Sequence, residues 1–135
     1  MNARYLLDTN ICIAILRQRP SGIIEKIRTK KPEEIALSSI TLAELEYGVV
    51  RSQYPERNKI ALLEFLTPFA ILDFDEGAAA HYGTIRDSLE SRGTPIGPMD
   101  LLIAAQAVSN NLILVTGNVR EFKRVKGLSV ENWLG

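Results

Sequence analysis

Tyr5-Leu6-Leu7-Asp8-Thr9-Asn10-Ile11 is the stretch on which the fold turns. Three apolar residues in a row are too few for a helix, and they stop at three polar residues of the kind that cap helices. Ile11, Ile13, Ala14, Ile15 and Leu16 then follow on helical rather than alternating spacing, so the segment reads as strand, cap, helix. The same order returns downstream. Ile35-Ala36-Leu37 ends at Ser38-Ser39 and leads into a helix over Thr41 to Arg51, marked by Leu42, Leu45 and Val49. Ala70-Ile71-Leu72, with Phe74, precedes a long helix from Glu76 to Arg92 that Gly93 closes. Leu112 to Val115 is a fourth strand stopping at Thr116-Gly117-Asn118, and Leu128 to Val130 a short fifth.

Helices without a strand of their own fill the remaining gaps. Pro20-Ser21 opens one carrying Ile23, Ile24 and Ile27, and Pro55 opens another carrying Ile60, Leu63 and Leu66 that ends near Pro68. Thr94 to Gly97 is a turn, after which Pro98 starts a helix with Ile103, Ala104, Ala107 and Val108 on one buried face, ended by Asn110-Asn111. Strands alternating with helices call for an α/β fold of three layers, α/β/α, around a central, mostly parallel sheet. Neither a repeat nor a linker interrupts the pattern, so residues 1–135 are expected to form a single domain.

Composition sets the outer limits. Of 135 residues, 46% are hydrophobic and 24% charged, which is enough to build a core without disulfides or a structural metal. Cys12 is the only cysteine, which excludes an internal disulfide and thiolate metal clusters and fits a reducing compartment. The apolar run before Asp8 is too short for a leader or a membrane span, so a cytoplasmic protein that makes no use of the membrane is expected. Sixteen basic residues balance sixteen acidic ones, and any binding of nucleic acid must come from a local patch. Two such patches stand out: Arg17 with Arg19 after the first helix, and Arg120, Lys123, Arg124 and Lys126 after the fourth strand. They are candidate phosphate contacts, with an ordinary solvated face as the plain alternative.

In an open α/β sheet, ligands gather beyond the carboxyl ends of the strands. Asp8, Glu44 and Asp100 are all expected at that edge or in a loop beside it. Two carboxylates about 5 Å apart at an effective dielectric near 20 repel by roughly 3 kcal/mol, so a cluster there must take up protons or a cation. Oxygen ligands alone, with no histidine or cysteine among them, favour Mg²⁺ or Mn²⁺ over Zn²⁺. Metal held this way suits phosphoryl chemistry. Each acid also has a purely structural reading: Asp8 as a helix cap, Glu44 as the far end of a Thr41-Leu42-Ala43-Glu44 capping box, Asp100 as complement to a helix dipole. His81 is expected on a helix surface, Cys12 in the core, and Asp73, Asp75 and Glu76 in a solvated loop.

Four strings taken together resemble, in their order, the motifs of PIN-domain ribonucleases. They are Tyr5-Leu6-Leu7-Asp8-Thr9-Asn10; Ser39-Ile40-Thr41-Leu42-Ala43-Glu44-Leu45 with Tyr47-Gly48; Ile96-Gly97-Pro98-Met99-Asp100 with Leu102-Ile103-Ala104-Ala105; and Val115-Thr116-Gly117-Asn118 with Arg120-Glu121-Phe122. More narrowly, the chain is similar to the VapC toxins of bacterial VapBC toxin–antitoxin pairs. The likeness runs nearly end to end, taking in Pro55-Glu56-Arg57-Asn58 and Gly127-Leu128 with Glu131-Asn132-Trp133.

The resemblance implies a Mg²⁺-dependent endoribonuclease, with Mn²⁺ as a substitute ion, that forms a homodimer. It implies inhibition by a VapB antitoxin whose C-terminal segment lies across the active-site groove, in a complex that binds operator DNA through the antitoxin. Carried over by motif, Asp8, Glu44 and Asp100 are the acidic core and metal ligands, Thr9 and Asn10 shape the first corner, and Thr116 contributes a hydroxyl. PIN domains commonly place a fourth acid soon after that threonine, where this chain has Gly117-Asn118. Glu121 is the expected replacement, with Asn118 holding a water or ligand and one bound ion in place of two. The subgroup most alike cuts initiator tRNA in the anticodon loop. Water attack in line with the ribose 3′ oxygen is expected to leave 5′ phosphate and 3′ hydroxyl ends. Two rivals accompany this expectation: a receiver-like phospho-accepting signalling module, and a catalytically inactive PIN domain acting only in a repressor complex.

Overall fold

The structure, a computed structural model, describes residues 2–134. Five strands, β1 (Tyr5–Leu7), β2 (Ile35–Ser38), β3 (Ala70–Leu72), β4 (Ile113–Val115) and β5 (Val130–Glu131), form one sheet in the order β3-β2-β1-β4-β5. Every pairing is parallel. The chain therefore starts in the middle of the sheet, builds outward to β3, then crosses back over β1 to lay down β4 and β5. The direction of strand order reverses between β1 and β4, which makes the gap beyond Leu7 and Val115 the natural ligand crevice. A receiver-type domain builds its sheet in the order 2-1-3-4-5, so the signalling alternative falls on topology.

Strand alternation divides the core in two. Leu6, Ala36 and Leu114, aligned across three strands, point to one face, where they meet α5 (Glu76–Ser91) and α6 (Pro98–Ser109). Tyr5, Leu7, Ile35, Leu37 and Val115 point to the other, against α1 (Thr9–Arg17), α2 (Gly22–Arg28), α3 (Ser39–Arg51) and α4 (Pro55–Leu66). Trp133 closes that second core edge-on against Tyr5, with ring centroids 5.1 Å apart. Strands buried on both faces read as continuous apolar runs, which is how β1 and β2 look in the sequence.

Several elements differ from the expectation. α3 begins at Ser39, with the Ser38 side chain accepting from the Ile40 amide, two residues ahead of the predicted start. The inward stripe of α4 is Leu62, Phe65 and Leu66, while Ile60 and Leu63 face solvent. α6 is buried on almost every side rather than on one stripe, from Leu101 through Ile103 to Ala107. The fifth strand sits slightly later, at Val130–Glu131, because the Leu114 and Thr116 amides take the Ser129 and Glu131 carbonyls. A short helix α7 (Val119–Phe122) and a 3₁₀ turn at Pro32–Glu34 are too brief to leave a periodic signal. Among the described residues no helix is long and apolar enough to cross a membrane.

Candidate active site

Each acidic residue reaches the crevice from a different element. Asp8 is the first residue past β1: its amide bonds to the Val115 carbonyl at 3.0 Å, and its Oδ1 accepts from the Ile11 amide at 2.9 Å, capping α1. The cap is real, and it leaves the other carboxylate oxygen for the crevice. Only 3% of Asp8 is exposed. Burial raises its pKa and the Glu44 charge adds to that, while the Thr116 hydroxyl and the Ile11 amide oppose it.

Glu44 lies on the second turn of α3. Because Ser38 is the cap, the capping-box reading of Glu44 fails: Thr41 is a buried helical residue, and Glu44 turns toward α1. There Oε1 accepts from the Thr9 hydroxyl at 2.6 Å, with Thr41 Oγ1 3.3 Å from the same hydroxyl. Thr9 thus ties the first corner to α3, whereas Asn10 is exposed at the start of α1.

Asp100 stands in the first turn of α6, directly after the Thr94–Gly97 loop. It is in hydrogen-bond contact with Glu121 of α7, and its pKa is raised to about 6 by burial first, then by Glu121, then by the charges of Asp8 and Glu44. As pH falls, Asp100 therefore takes up a proton before Glu121 does. Burial also acts on Glu121, but the Gly97 amide at 3.1 Å, the Asn118 side-chain amide at 2.8 Å and the Arg124 charge hold it below its ordinary value. Asn118 thereby fixes the orientation of Glu121, and its own amide bonds to Thr116 Oγ1 at 2.9 Å. Gly97 leaves the pair uncovered on one side: a Cβ built there lies in van der Waals contact with both, 3.5 Å from Asp100 Oδ2 and 3.9 Å from Glu121 Oε1.

Four carboxylates therefore sense one another's charge across a single edge of the sheet. Among the described residues, the ion pairs are Arg4–Glu34, Lys59–Glu46 and Arg86–Glu90, so no lysine or arginine is paired with Asp8, Glu44 or Asp100. A donor set of oxygen only, in which Arg124 offsets charge at Glu121 but no cation is paired with Asp8, Glu44 or Asp100, fits a hard divalent cation. The convergence is electrostatic rather than closed: among the described residues no three carboxylate, imidazole or thiolate groups stand together at ion-holding spacing. Gathering them round one ion calls for side-chain rotation.

The basic residues divide. Arg17, Arg19, Arg120, Lys123 and Lys126 are exposed. Arg124 is half-buried and already engaged, donating to the Pro95 carbonyl at 3.0 Å. Elsewhere the plain readings of Cys12 and His81 hold, Cys12 being buried with its thiol pKa pushed well up by burial and then by Asp8, and exposed His81 bonding back to Gly77 O at 2.9 Å. Asp75 and Glu76, expected in a loop, instead cap and open α5, Asp75 accepting from the Ala78 amide. The contacts of Glu121 with Gly97 and Asn118 carry no sequence signal beyond its position near Thr116.

The sequence pattern of the PIN domain matches residues 5–128. The chain is 44% identical over 130 residues to the tRNA(fMet)-specific endonuclease VapC of Shigella flexneri, covering 96% of this chain and 98% of that protein. It is 45% identical over 131 residues to Ribonuclease VapC2 of Haemophilus influenzae, covering 97% and 98%. Its fold matches a chain in the crystal structure of DNA-bound VapBC from Salmonella typhimurium with a TM-score of 0.92, at 42% identity over 97% of this chain and 98% of that one. An acid-lined crevice at the β1/β4 switch point and a likeness of this extent make the chain a member of the PIN-domain family, within its VapC ribonuclease branch.

Proposed function

We propose that the chain is the toxin of a VapBC-type pair: a cytoplasmic, homodimeric, Mg²⁺-dependent endoribonuclease of tRNA, for which Mn²⁺ can substitute, restrained by a VapB antitoxin. The observation that carries this reading is the set of four carboxylates from four elements, at one sheet edge, without a paired cation. Asp8, Glu44 and Asp100 would hold the ion, with Glu121 beside Asp100. Bound there, a divalent cation lowers the pKa of water and neutralises charge on a phosphodiester. The chain's own part is to hold these groups in place: Thr116 steadies Asp8, Thr9 steadies Glu44, and Asn118 with the Gly97 amide aims Glu121. Exposed Arg17, Arg19, Arg120, Lys123 and Lys126 supply phosphate contacts along the approach.

The named specificity of the Shigella flexneri relative supports initiator tRNA as substrate, cut in the unpaired anticodon loop. Complexes of relatives with VapB supports the antitoxin as partner, and DNA in the Salmonella typhimurium complex supports operator binding by the pair. An apolar groove lined by Ile13, Leu16, Leu45 and Gly48, opening beside Glu44, is the seat for the antitoxin segment, with a basic side chain of the partner reaching the acids. The test is incubation of the purified chain with total bacterial RNA in Mg²⁺ or in EDTA, followed by mapping of the ends. One cut in one tRNA, in Mg²⁺ only, leaving 5′ phosphate and 3′ hydroxyl and abolished by the cognate antitoxin, is the expected result. Tight antitoxin binding with no cut at any metal concentration would instead establish the inactive repressor-complex reading.

A further inference from the structure

The loop that delivers Asp100 ends without a side-chain cap, so that within the helix only Pro98, at the first helical position, favours the start of α6. Its last residue, Gly97, is the N-cap of α6 and offers no side chain to bond the first amides. Gly93 turns the chain at φ +68°, and the Thr94 amide bonds back to Leu89 O at 2.9 Å, so the upstream end is anchored to α5. The downstream end is held by α7 and the residues just past it. Glu121 accepts from the Gly97 amide at 3.1 Å, and Arg124, three residues on, donates to the Pro95 carbonyl at 3.0 Å. Arg124's own carbonyl accepts from Arg92 at 2.8 Å, which ties this grip to the end of α5. Residues three apart on a helical turn project on the same side.

We propose that Arg124 is a positioning residue for the acidic site: with Glu121 it forms a two-point clip on Pro95-Ile96-Gly97 that sets where α6 starts and so aims Asp100 at Glu121. Its guanidinium is held to a backbone carbonyl by one donor, and this separates it from exposed Lys123 and Lys126. The proposal rests on the nuclease reading for its effect on catalysis, but the clip itself is a feature of the folded chain. Small misplacements of reacting groups are costly, with about 1 Å worth as much as about a hundredfold in rate.

The experiment compares the full chain with Arg124→Met, Arg124→Lys and Lys126→Ala. Arg124→Met is expected to lower kcat about tenfold or more with KM little changed, and to raise the Mg²⁺ concentration needed for half-maximal rate. Arg124→Lys, which keeps a donor, is expected to recover most of kcat. Hydrogen exchange of the Gly97 amide, followed without metal, is expected to speed up severalfold in Arg124→Met and much less in Arg124→Lys. RNA binding in EDTA is expected to keep its salt dependence in Arg124→Met but to lose close to one unit of slope in Lys126→Ala. Thermal melts show whether each variant is folded at the assay temperature; if Arg124→Met is not, all variants are compared at a lower temperature at which it is. Unchanged Gly97 exchange, or an unchanged kcat with a raised KM and a reduced salt slope, would overturn the clip in favour of a phosphate contact. Should the parent chain cut no RNA with any metal, the nuclease reading fails separately, and Gly97 exchange alone decides for or against the clip.

Discussion

Asp8 caps α1 with one carboxylate oxygen, and because caps and ion ligands use the same residue types the sequence offered both readings of it. One oxygen closes the first turn of α1 and the buried remainder faces the other acids without an ion-pair partner. Asp8→Asn keeps an acceptor for the Ile11 amide and removes the buried charge. Thermal denaturation in EDTA at neutral pH should therefore show a melting temperature equal to or above the parent's, while cleavage in Mg²⁺ falls about a hundredfold or more. A variant that cuts at the parental rate would remove Asp8 from the site. Glu44 shows the opposite lesson: Thr41-Leu42-Ala43-Glu44 fits a capping box in sequence, but Ser38, three residues ahead of Thr41, took the cap and left the glutamate to accept from Thr9. Gly97 tests the open side of the Asp100–Glu121 pair. At φ −57° its backbone suits alanine, so Gly97→Ala should fold normally, yet its methyl would lie against both carboxylates. Titration with Mn²⁺ should show affinity reduced severalfold, and unaltered affinity would mean the ion sits elsewhere.

At the scale of elements, long segments were legible and short ones were not. Strands β1 to β4 and helices α1, α3, α5 and α6 announce themselves by apolar runs or 3.6-residue spacing. α7 has four residues, less than the window over which a period can be seen, yet it carries Glu121 and leads into Arg124. α4 was found but turned the wrong way, because Ile60 and Leu63 share a stripe that points to solvent. Gln106 was hidden for a related reason: a polar residue inside an apolar helix is assigned to the exposed face, whereas here it is fully buried and its side-chain amide bonds the Leu72 and Asp73 carbonyls at 2.8 and 3.0 Å. It pins α6 to the end of β3. Gln106→Leu leaves those carbonyls without this donor and should destabilise the fold by about 1–3 kcal/mol in chemical denaturation. No loss of stability would show that the two bonds contribute nothing net.

For the whole molecule, alternation of strand and helix was enough to give three layers, but not the order of strands. That order, β3-β2-β1-β4-β5, is what brings Asp8, just past the first strand, beside Thr116 at the fourth strand's exit, more than a hundred residues later in the chain. No local pattern encodes such a neighbourhood; the ordered motifs of a family do. The site also couples the fold to pH. Asp100, raised from 3.8 to about 6, binds more protons in the folded chain than in the unfolded chain between those values. Without metal, the stability that Asp100 contributes should decline as pH rises through that window and level off above about 6, with the lowered Glu121 acting in the opposite sense near its ordinary value of 4.5. An ion favours the charged form, so the rise in melting temperature on adding Mg²⁺ should be largest above pH 6 and fade below it. A Mg²⁺ effect independent of pH would contradict this. Where the ion sits is settled most directly by anomalous scattering from crystals grown with Mn²⁺. A peak within coordination distance of Asp8 and Asp100, with Glu44 or Glu121 completing the set, is the expected result; a peak away from these residues, or none at millimolar Mn²⁺, would contradict a metal site made of the four carboxylates.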